Sequence, residues 1–364
     1  MKILITGTHF TPAVAVIEEL KKIKGVEIVY VGRKTTKEGD KTLSVESQVL
    51  PSKGIKFIPI IAGRLQRAFT LYTIPSLLKI PIGFIQALII ILSEKPDVIL
   101  SFGGYVAVPN VIIGWFFSIP IIIHEQSFVS GLANKICSVF ADKIAVSFEK
   151  NANKSEKIVL TGNPIRRDIV ERRDRSGRHQ GLPTILILGG NQGSHVINLA
   201  IEGCIAKLTK VAYVIHVTGD NKFGDFERLE ELGEEEKLGK RYVVKKWLGE
   251  EYSAILQNAD LVISRAGINT LMELAYLGKS ALVIPIPYLY QDEQNKNAKF
   301  FEELKLVKIL PQSTLSSEVL FQNVKNTLKN IKVLREAARG AQSVIIPDAA
   351  KRLALETILL AKHE

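Results

Sequence analysis

Short apolar runs alternate with amphipathic stretches along almost the whole chain. In the first half, the runs at residues 3–6, 26–31, 97–101, 121–123, 143–147 and 158–160 predict buried strands. Stretches between them, such as residues 12–24 and 132–139, carry apolar side chains at helical spacing. The alternation restarts in the second half, with strands predicted at residues 185–188, 213–218, 260–264 and 280–284. Strands that alternate with helices form an open, mostly parallel sheet covered on both faces.

A basic, polar run near the middle of the chain predicts a domain boundary. It covers residues 172–181 and is typical of a linker. We therefore expect a first domain over residues 1–165, a second over residues 166–344, and a final helical segment over residues 345–364. The predicted fold class is α/β, with two doubly wound, Rossmann-like domains that face each other across a cleft. Ligands of such sheets bind at the carboxyl ends of the strands.

Two long apolar stretches contain prolines. Residues 63–92 predict one or two helices, interrupted at Pro75 and Pro81. Residues 105–123 carry no formal charge, and their length matches a membrane span. Because Pro109 and Pro120 divide this stretch, a helix followed by a buried strand is favoured over a span. The polar residues 34–54 predict a variable excursion.

Composition and charge narrow the possible partners. The 364 residues are 46% hydrophobic and 23% charged, as in globular proteins, and suffice for two cores. The net charge of +11 favours an acidic partner, either nucleic acid, anionic lipid or a phosphorylated substrate. No zinc-finger, helix-turn-helix or RNA-binding pattern occurs, so nucleic acid is not expected. Cys137 and Cys204 lack metal-ligand spacing and predict reduced core residues in a cytosolic protein. Because the first strand begins at Ile3, we expect no signal peptide.

Several familiar enzyme classes are excluded by missing motifs. No G-x-G-x-x-G follows the first strand, and the second strand ends in Gly32-Arg33 where a dinucleotide-binding protein has an acid. The chain has no P-loop, no nucleophilic serine elbow, no D-x-D and no histidine pair at i, i+4. We therefore expect neither a dedicated metal site nor another cofactor.

The strongest local signal is a glycine-rich turn at residues 189–194. It reads Gly-Gly-Asn-Gln-Gly-Ser and joins a predicted buried strand to an amphipathic helix. Such a turn aims backbone N–H groups and the positive end of a helix dipole at one point, which suits a phosphate group. The alternative is a tight strand-to-helix turn without a ligand.

Three polar residues lie where loops should open at the carboxyl edges of the sheets. Glu273, one helical turn beyond Gly267, could accept two hydrogen bonds from a ribose diol, or could be a solvated helix acid. Gln294 could bind sugar hydroxyls, or could cap its helix. His9 follows the first strand, in the position of a general base, although a lone histidine can also be structural.

Motifs along nearly the whole chain resemble those of the MurG-type glycosyltransferases. This family transfers N-acetylglucosamine from its UDP donor to a lipid-pyrophosphate-linked muramyl pentapeptide in peptidoglycan synthesis. Each motif is weak alone, but their order and spacing across two domains are specific. They are His9-Phe10-Thr11-Pro12-Ala13, His124-Glu125-Gln126, Gly162-Asn163-Pro164-Ile165-Arg166, Gly189-Gly190-Asn191-Gln192-Gly193, Arg265-Ala266-Gly267, Glu273, residues 292–298 and Ile346-Pro347-Asp348-Ala349.

The resemblance implies the two-Rossmann GT-B fold, with the last helix crossing back onto the first domain. It implies that UDP-N-acetylglucosamine binds mainly to the second domain, that the acceptor pyrophosphate binds to the first, and that His9 is the base for the acceptor hydroxyl. The implied donor contacts are Arg166, Asn191, Gln192, Leu248, Ile268, Asn269, Thr270, Leu271, Met272, Glu273 and Gln294. The implied acceptor contacts are Gly7, Thr8, His124, Glu125, Gln126 and Ser127.

The chain departs from the family pattern in three places. The family's G-G-T-G-G-H loop is shortened here to Thr6-Gly7-Thr8-His9, with fewer glycines. Ser127 stands where the family has asparagine, and Asn191 stands where it has serine. The last two changes keep the capacity for hydrogen bonding but alter the reach of the side chain.

The implied reaction is an inverting displacement, followed by release of UDP. Because the acceptor is a lipid, we expect a peripheral protein on the cytoplasmic side of the cell membrane. The apolar residues 77–85, with Arg64, Arg67 and Lys79 near them, are the candidate surface for anionic lipid, since each basic group beside such lipid adds about 1 kcal/mol. The alternative is that these apolar residues belong to the core.

Two other functions are compatible with the motifs. The first is a glycosyltransferase of the same fold that uses another UDP-sugar or another lipid acceptor, as the shortened first loop allows. The second is a non-catalytic scaffold that binds a nucleotide sugar. The presence of both His9 and Glu273 favours an enzyme, because a scaffold requires neither.

Overall fold

The computed structural model describes residues 1–35, 43–63, 73–171, 181–190 and 193–362, without the side chains of residues 73–77 and 153–154. The chain divides into two compact units. The first comprises Met1–Arg166 and Ile346–Glu364, and the second comprises Arg167–Ile345. The chain thus leaves the first unit after Arg166 and returns to it at Ile346.

The first unit is built on a parallel sheet of seven strands in the order β3-β2-β1-β4-β5-β6-β7. The central strand β1 pairs with β2 on one side and with β4 on the other, so that Thr6 lies opposite both Val31 and Ser101. The strand order reverses at this point, which opens a crevice beyond the carboxyl ends of β1 and β4. The strands are β1 Lys2–Thr6, β2 Glu27–Gly32, β3 Lys56–Pro59, β4 Val98–Ser101, β5 Ile121–Glu125, β6 Lys143–Val146 and β7 Ile158–Leu160.

Helices cover both faces of this sheet. Those before residue 166 with eight or more residues are α1 Phe10–Leu20, α2 Val45–Ser52, α3 Thr73–Glu94, α4 Ala107–Phe116 and α5 Leu132–Phe140. Helix α1 contributes to the core on one face, whereas α3, α4 and α5 contribute to the core on the other. The predicted division of residues 105–123 into a helix and a strand is confirmed by α4 and β5. In the described parts of the chain, no helix is both long and apolar enough to cross a bilayer.

Helix α3 differs from the prediction. We expected Pro75 and Pro81 to interrupt it, but one helix runs from Thr73 to Glu94 with Pro81 inside it. An internal proline costs about 3 kcal/mol because it removes a hydrogen bond and crowds the preceding turn. Ala87, Ile90 and Ile91 are at most 6% exposed and lie in the core at helical spacing. Burial of this face offsets the cost, and Pro81 itself is exposed.

The segment predicted as a variable excursion also contains regular structure. Helix α2 begins after Ser44, whose Oγ accepts a hydrogen bond from the Ser47 N–H at 3.2 Å. This is the usual N-cap arrangement, which satisfies an otherwise unpaired helix donor. Leu50 and Glu46 are buried, and Glu46 pairs with Arg33 at 3.1 Å. These two buried side chains anchor α2, a helix that was not predicted because the segment is polar.

The second unit contains a parallel sheet of six strands in the order β10-β9-β8-β11-β12-β13. The strands are β8 Thr184–Leu188, β9 Tyr213–Val217, β10 Tyr242–Lys245, β11 Leu261–Ser264, β12 Ala281–Val283 and β13 Val307–Ile309. Its helices are α6 Arg167–Glu171, α7 His195–Glu202, α8 Ile205–Leu208, α9 Asp225–Glu235, α10 Tyr252–Asn258, α11 Ile268–Leu277, α12 Glu293–Glu303, α13 Ser317–Lys329 and α14 Ile331–Ala338. Strands β8 and β11 are fully buried and central, and β10 and β13 are the edges.

The last helix, α15 (Ala349–Lys362), belongs to the first unit. Leu353, Ala354 and Ile358 lie in the core that α1 covers. Gly162 fits against the start of this helix, where an added Cβ would lie 2.6 Å from Ile346. The end of the chain therefore completes the core of the unit in which the chain began.

Candidate functional site

The glycine turn of the second unit (residues 189–194) lies at the carboxyl edge of the sheet, between β8 and α7. Gly193 has a φ of +73°, and a Cβ there would lie 1.7 Å from the carbonyl oxygen of Thr218, so only glycine fits. Ser194 caps α7 by accepting a hydrogen bond from the Ile197 N–H. Asn191 and Gln192, two predicted donor contacts, lie outside the described residues. The described part of the turn has the form of an anion site at a helix N-terminus.

A buried carboxylate, Asp225, ties the start of α7 to α9. It accepts hydrogen bonds from His195 Nδ1 at 2.8 Å, Asn198 Nδ2 at 2.7 Å, Asn221 Nδ2 at 2.9 Å and Arg228 Nη2 at 2.6 Å. Burial opposes ionisation, but these donors outweigh it and hold the pKa of Asp225 below its usual range. This cluster was not predicted from the sequence. It fixes the helix on which the glycine turn rests.

The loop after β11 leads directly into α11, which carries six predicted donor contacts. Asn269 and Thr270 are half-buried, and Ile268 is 4% exposed. Leu271 and Met272 are fully buried in the unit, so their side chains pack in the interior and do not face solvent. Of these six residues, Asn269, Thr270 and Glu273 have the chemistry for a polar ligand.

Glu273 is buried on the second turn of α11. Its side chain is 3% exposed, and its Oε2 accepts a hydrogen bond from the Tyr252 hydroxyl at 2.6 Å. The interpretation of Glu273 as a solvated helix acid is therefore wrong. A buried carboxylate held by a phenol is a preorganised acceptor, which is the property that a ribose diol requires.

Arg265 is a second polar residue that the predicted site did not include. It is 9% exposed, and its Nη1 donates to the carbonyl of Ile284 at 2.9 Å and to Gln312 Oε1 at 2.8 Å. Its Nε has no hydrogen-bond partner among the described residues. Burial lowers the pKa of this guanidinium from its ordinary value. Its place directly after β11 could have identified it, because strand ends carry ligands in such sheets.

Gln294, the second residue of α12, and Leu248 lie after two other strands at this edge of the sheet. Gln294 is half-buried, and its Oε1 accepts a hydrogen bond from the Ile286 N–H at 3.0 Å. It therefore fixes the loop after β12, as well as being a predicted sugar contact. Leu248 is half-buried in the loop between β10 and α10.

In the first unit, the loop that carries His9 is held by main-chain contacts. The Thr8 N–H donates to the Gly103 carbonyl at 2.9 Å, and the Tyr30 hydroxyl donates to the Gly7 carbonyl at 3.0 Å. Gly104 has a φ of +84°, and a Cβ there would lie 2.1 Å from Thr8 Oγ1. The loops after β1 and β4 therefore pack directly on each other at the point where the strand order reverses.

His9 is half-buried and directly precedes α1. Burial, with the positive charge of Arg33 in addition, lowers the pKa of its imidazole to about 4. His9 is therefore neutral at pH 7, in the protonation state that a general base needs.

His124, at the end of β5, is 1% exposed. Its Nε2 lies 3.1 Å from the carbonyl oxygen of Gly162, so Nε2 carries the proton and donates it. Its Nδ1 has no partner among the described residues. The pKa of His124 is lowered to about 4, mainly by burial and to a lesser extent by the charge of His9. The hydrogen bond to the Gly162 carbonyl acts in the opposite direction and raises this pKa.

The residues after His124 make contacts within the first unit. Glu125 accepts hydrogen bonds from Asn134 Nδ2 at 2.9 Å and from the Ser127 N–H at 3.1 Å. Gln126 is 4% exposed, and its Oε1 has no partner in the described chain. The predicted base His9 follows β1, and the predicted acceptor contacts 124–127 lie at and after the end of β5, so they flank the end of β4 between these strands. Arg166 is half-buried and is the last residue of the first unit, and its contact with the donor stays a prediction.

Two Rossmann-like units, the first with His9 at its switch point and the second with a glycine-rich turn before a helix, are the arrangement expected of a two-domain glycosyltransferase. The chain belongs to glycosyltransferase family 28. The family's N-terminal domain matches residues 4–146 and its C-terminal domain matches residues 184–353. Among the described residues, no group of three or more histidine, cysteine, aspartate or glutamate side chains could hold a metal ion.

Relatives in this family extend over nearly the full chain. A protein of Bacillus cytotoxicus is 32% identical over 366 residues, covering 97% of each chain, and one of Clostridium kluyveri is 34% identical over 338 residues, covering 89% of this chain and 90% of its own. Both carry the name UDP-N-acetylglucosamine–N-acetylmuramyl-(pentapeptide) pyrophosphoryl-undecaprenol N-acetylglucosamine transferase. The predicted MurG-type family is confirmed.

Solved structures agree with this fold. The crystal structure of Acinetobacter baumannii MurG has a TM-score of 0.71 at 27% identity and covers 98% of this chain and 99% of its own. A UDP-GlcNAc 2-epimerase of Neisseria meningitidis is similar in fold alone, with a TM-score of 0.66 at 15% identity. The predicted fold class, two Rossmann-like domains of the GT-B type, is confirmed.

Proposed function

We propose that this protein transfers N-acetylglucosamine from UDP-N-acetylglucosamine to the muramyl hydroxyl of an undecaprenyl-pyrophosphoryl-N-acetylmuramyl pentapeptide, a step of peptidoglycan synthesis. The observation that carries the proposal is the match to transferases of this name over 97% of the chain. Both candidate half-sites support it, because each supplies a different part of the required chemistry.

The second unit is the proposed donor site. The glycine turn and the start of α7 bind the diphosphate of UDP, and Glu273 accepts hydrogen bonds from the ribose. As the bond between the anomeric carbon and UDP breaks, negative charge grows on the diphosphate. Preorganised N–H donors stabilise such charge, and removal of one donor of this kind costs about 3 kcal/mol in known enzymes.

The first unit is the proposed acceptor site. The neutral imidazole of His9 accepts the proton of the muramyl hydroxyl while the oxygen attacks the anomeric carbon on the face opposite UDP. One carbon–oxygen bond forms, one breaks, and UDP leaves with the electron pair of the broken bond. His124 and Glu125 position this crevice, because their polar atoms are engaged with Gly162 and Asn134.

We also propose that the first unit docks on the cytoplasmic face of the membrane, because the acceptor is a lipid. One face of α3 presents a continuous apolar stripe to solvent, with exposed fractions between 44% and 67%. Its members are Leu78, Ile82, Ile85, Ile89 and Leu92. Of residues 77–85, for which the alternative was a place in the core, Leu78, Ile82 and Ile85 are thus exposed, whereas Phe84 is half-buried.

Exposed aromatic side chains also lie at the end of α4, a helix that packs against α3. Trp115 is 55% exposed and Phe116 is 73% exposed. The chain's net charge of +11 complements anionic lipid. Lys79 is half-buried near the stripe, whereas Arg64 and Arg67 lie outside the described residues.

A transfer assay tests the proposed activity. The protein is incubated with UDP-N-acetylglucosamine and a soluble muramyl pyrophosphoryl lipid analogue, and released UDP is measured with and without the acceptor. Acceptor-dependent release with this donor, and little with UDP-glucose, is the expected result. Faster release with another UDP-sugar would favour the related-transferase alternative. UDP binding without release under any donor would favour the scaffold.

A further inference from the structure

Tyr252 and Glu273 form a buried pair that connects two helices of the second unit. Tyr252 is the first residue of α10 and is 8% exposed, and Glu273, on α11, is 3% exposed. The phenol oxygen lies 2.6 Å from Glu273 Oε2. Because an ionised carboxylate only accepts hydrogen bonds, the tyrosine hydroxyl is the donor.

This contact is in the range of charge-assisted hydrogen bonds, which are about twice as strong as neutral ones. A buried carboxylate without enough donors is costly, and its side chain turns toward any available partner. The phenol satisfies Oε2 and restricts rotation of the carboxylate. A ribose hydroxyl then meets an acceptor whose orientation is fixed before the ligand arrives, which reduces the ordering cost of binding.

Tyr252 is also tied to the loop that contains Leu248, a predicted donor contact. The Tyr252 N–H donates to the Gly249 carbonyl at 3.2 Å, and the Gly249 N–H donates to Glu251 Oε2 at 3.2 Å. Lys245 Nζ holds the same Glu251 side chain at 2.9 Å. One aromatic ring therefore links the anchored end of this loop to the carboxylate on α11.

We propose that Tyr252 is a positioning residue for nucleotide recognition, whose hydroxyl orients the Glu273 carboxylate toward the ribose of a uridine diphosphate. The proposal rests on the proposed donor site in the second unit. Tyr252 acts through Glu273, so its effect on UDP affinity depends on the ribose hydroxyl that donates a hydrogen bond to Glu273.

A second tyrosine of the same unit provides a matched control. The hydroxyl of Tyr242 lies 2.9 Å from His216 Nδ1, and Tyr242 is 7% exposed. Tyr242 is the first residue of β10, an edge strand that β9 and β8 separate from β11, the strand that leads to Glu273. Tyr242→Phe removes a buried tyrosine hydroxyl at similar exposure without touching Glu273.

The experiment compares UDP with 2′-deoxy-UDP and 3′-deoxy-UDP by isothermal titration calorimetry. In the natural protein, we expect one deoxy analogue to bind at least about tenfold more weakly than UDP, as for loss of a hydrogen bond to a charged group. In Tyr252→Phe, that ratio falls to about threefold or less, because the carboxylate loses the hydrogen bond that orients its Oε2. In Tyr242→Phe, the ratio is unchanged. In a Glu273→Gln background, Tyr252→Phe has no further effect on the ratio.

The possible failures are distinguishable. If the natural protein binds UDP and prefers it to a deoxy analogue, but Tyr252→Phe keeps or increases that preference, the inference is wrong and the donor proposal stands. Equal weakening of UDP and both analogues in Tyr252→Phe indicates a purely structural role and also overturns the inference. If the natural protein binds UDP without preference over either analogue, Glu273 does not hold the ribose. If it does not bind UDP, both the donor proposal and the inference are wrong.

Discussion

The low pKa of His9 predicts an unusual pH dependence of the transfer reaction. An ordinary histidine, with a pKa near 6.5, is only about one-tenth neutral at pH 5.5. Burial and Arg33 lower the pKa of His9 to about 4, so nearly all of it is neutral at pH 5.5. Since a general base must be unprotonated, kcat/KM at pH 5.5 should remain close to its value at pH 7, and the acidic limb should appear near pH 4.

The acceptor should shift this limb. The pyrophosphate of the proposed acceptor brings negative charge into the crevice, and nearby negative charge raises the pKa of a histidine. The limb in kcat, which reports the bound complex, is therefore expected at higher pH than the limb in kcat/KM, which reports the free enzyme. An uncharged acceptor analogue should remove this difference between the two limbs.

Substitution tests the assignment of the base. We expect His9→Ala to lower kcat by roughly 10²–10⁴-fold, the usual share of general-base catalysis, and to abolish the acidic limb. The affinity for UDP should hardly change, because the predicted donor contacts other than Arg166 belong to the second unit. His216→Gln is a control for the acidic limb, which should remain in this variant, since His216 is a buried histidine of the second unit whose pKa is also lowered, to about 3.

Two results would refute this reasoning. An acidic limb near pH 6.5 that survives His9→Ala would show that another group is the base. Near-normal turnover in His9→Ala, together with an inactive His124→Ala, would assign the base to His124.

Three further predictions concern the donor, the membrane and stability. Glu273→Ala should weaken UDP binding by about 1.5–3 kcal/mol, as for a hydrogen bond to a charged group, and an unchanged affinity in calorimetry would remove Glu273 from the site. Substitution of both Ile85 and Ile89 by serine should reduce co-sedimentation with anionic vesicles. Co-sedimentation of the natural protein should also fall as the salt concentration rises. Val333→Ser, at a 70% exposed position of the second unit, should alter neither the co-sedimentation nor its salt dependence. Binding that ignores salt and the α3 substitutions would contradict membrane docking. The pKa of His216 is about 3 in the folded protein and near 6.5 in the unfolded chain. Between these pH values the unfolded chain binds more protons than the folded protein, so the free energy of unfolding decreases as pH falls. Urea unfolding between pH 6 and pH 4 should give a slope that is smaller by about 1.4 kcal/mol per pH unit in His216→Gln, and an unchanged slope would contradict the buried neutral state.

The central strands of both sheets could be predicted from sequence because they are buried on both faces. Such strands are continuous apolar runs, and β1 and β8 were predicted within one residue at each end. The edge strand β10 was not predicted. Its residues Tyr242–Lys245 are mostly half-buried or exposed, and its apolar run is only the three residues 242–244, with basic residues on both sides.

The interruption of α3 at its prolines was predicted wrongly because packing outweighed a local rule. The local rule that an internal proline ends a helix was applied to Pro81, but tertiary packing of Ala87 and Ile91 decides the outcome. Local preference is a weak prior when one face of a helix can be buried. The same packing turns the opposite face of α3 outward, which is why the exposed stripe could not be separated from the core by sequence alone.

The candidate site was predictable only as far as the carboxyl ends of strands. His9 and Glu273 lie in or just beyond loops that follow β1 and β11, and the topology of a parallel sheet is sufficient to select them. Their supporting groups come from elsewhere. Tyr252 is 21 residues from Glu273 in sequence, and His195 is 30 residues from Asp225, so no motif connects either pair. The strength of an acceptor depends on such partners, so the same carboxylate can be a solvated acid or a preorganised ligand. If Glu273 needs Tyr252 to orient it, Tyr252→Phe should reduce the preference for UDP over a deoxy analogue. If the presence of Glu273 is sufficient, that preference should stay unchanged.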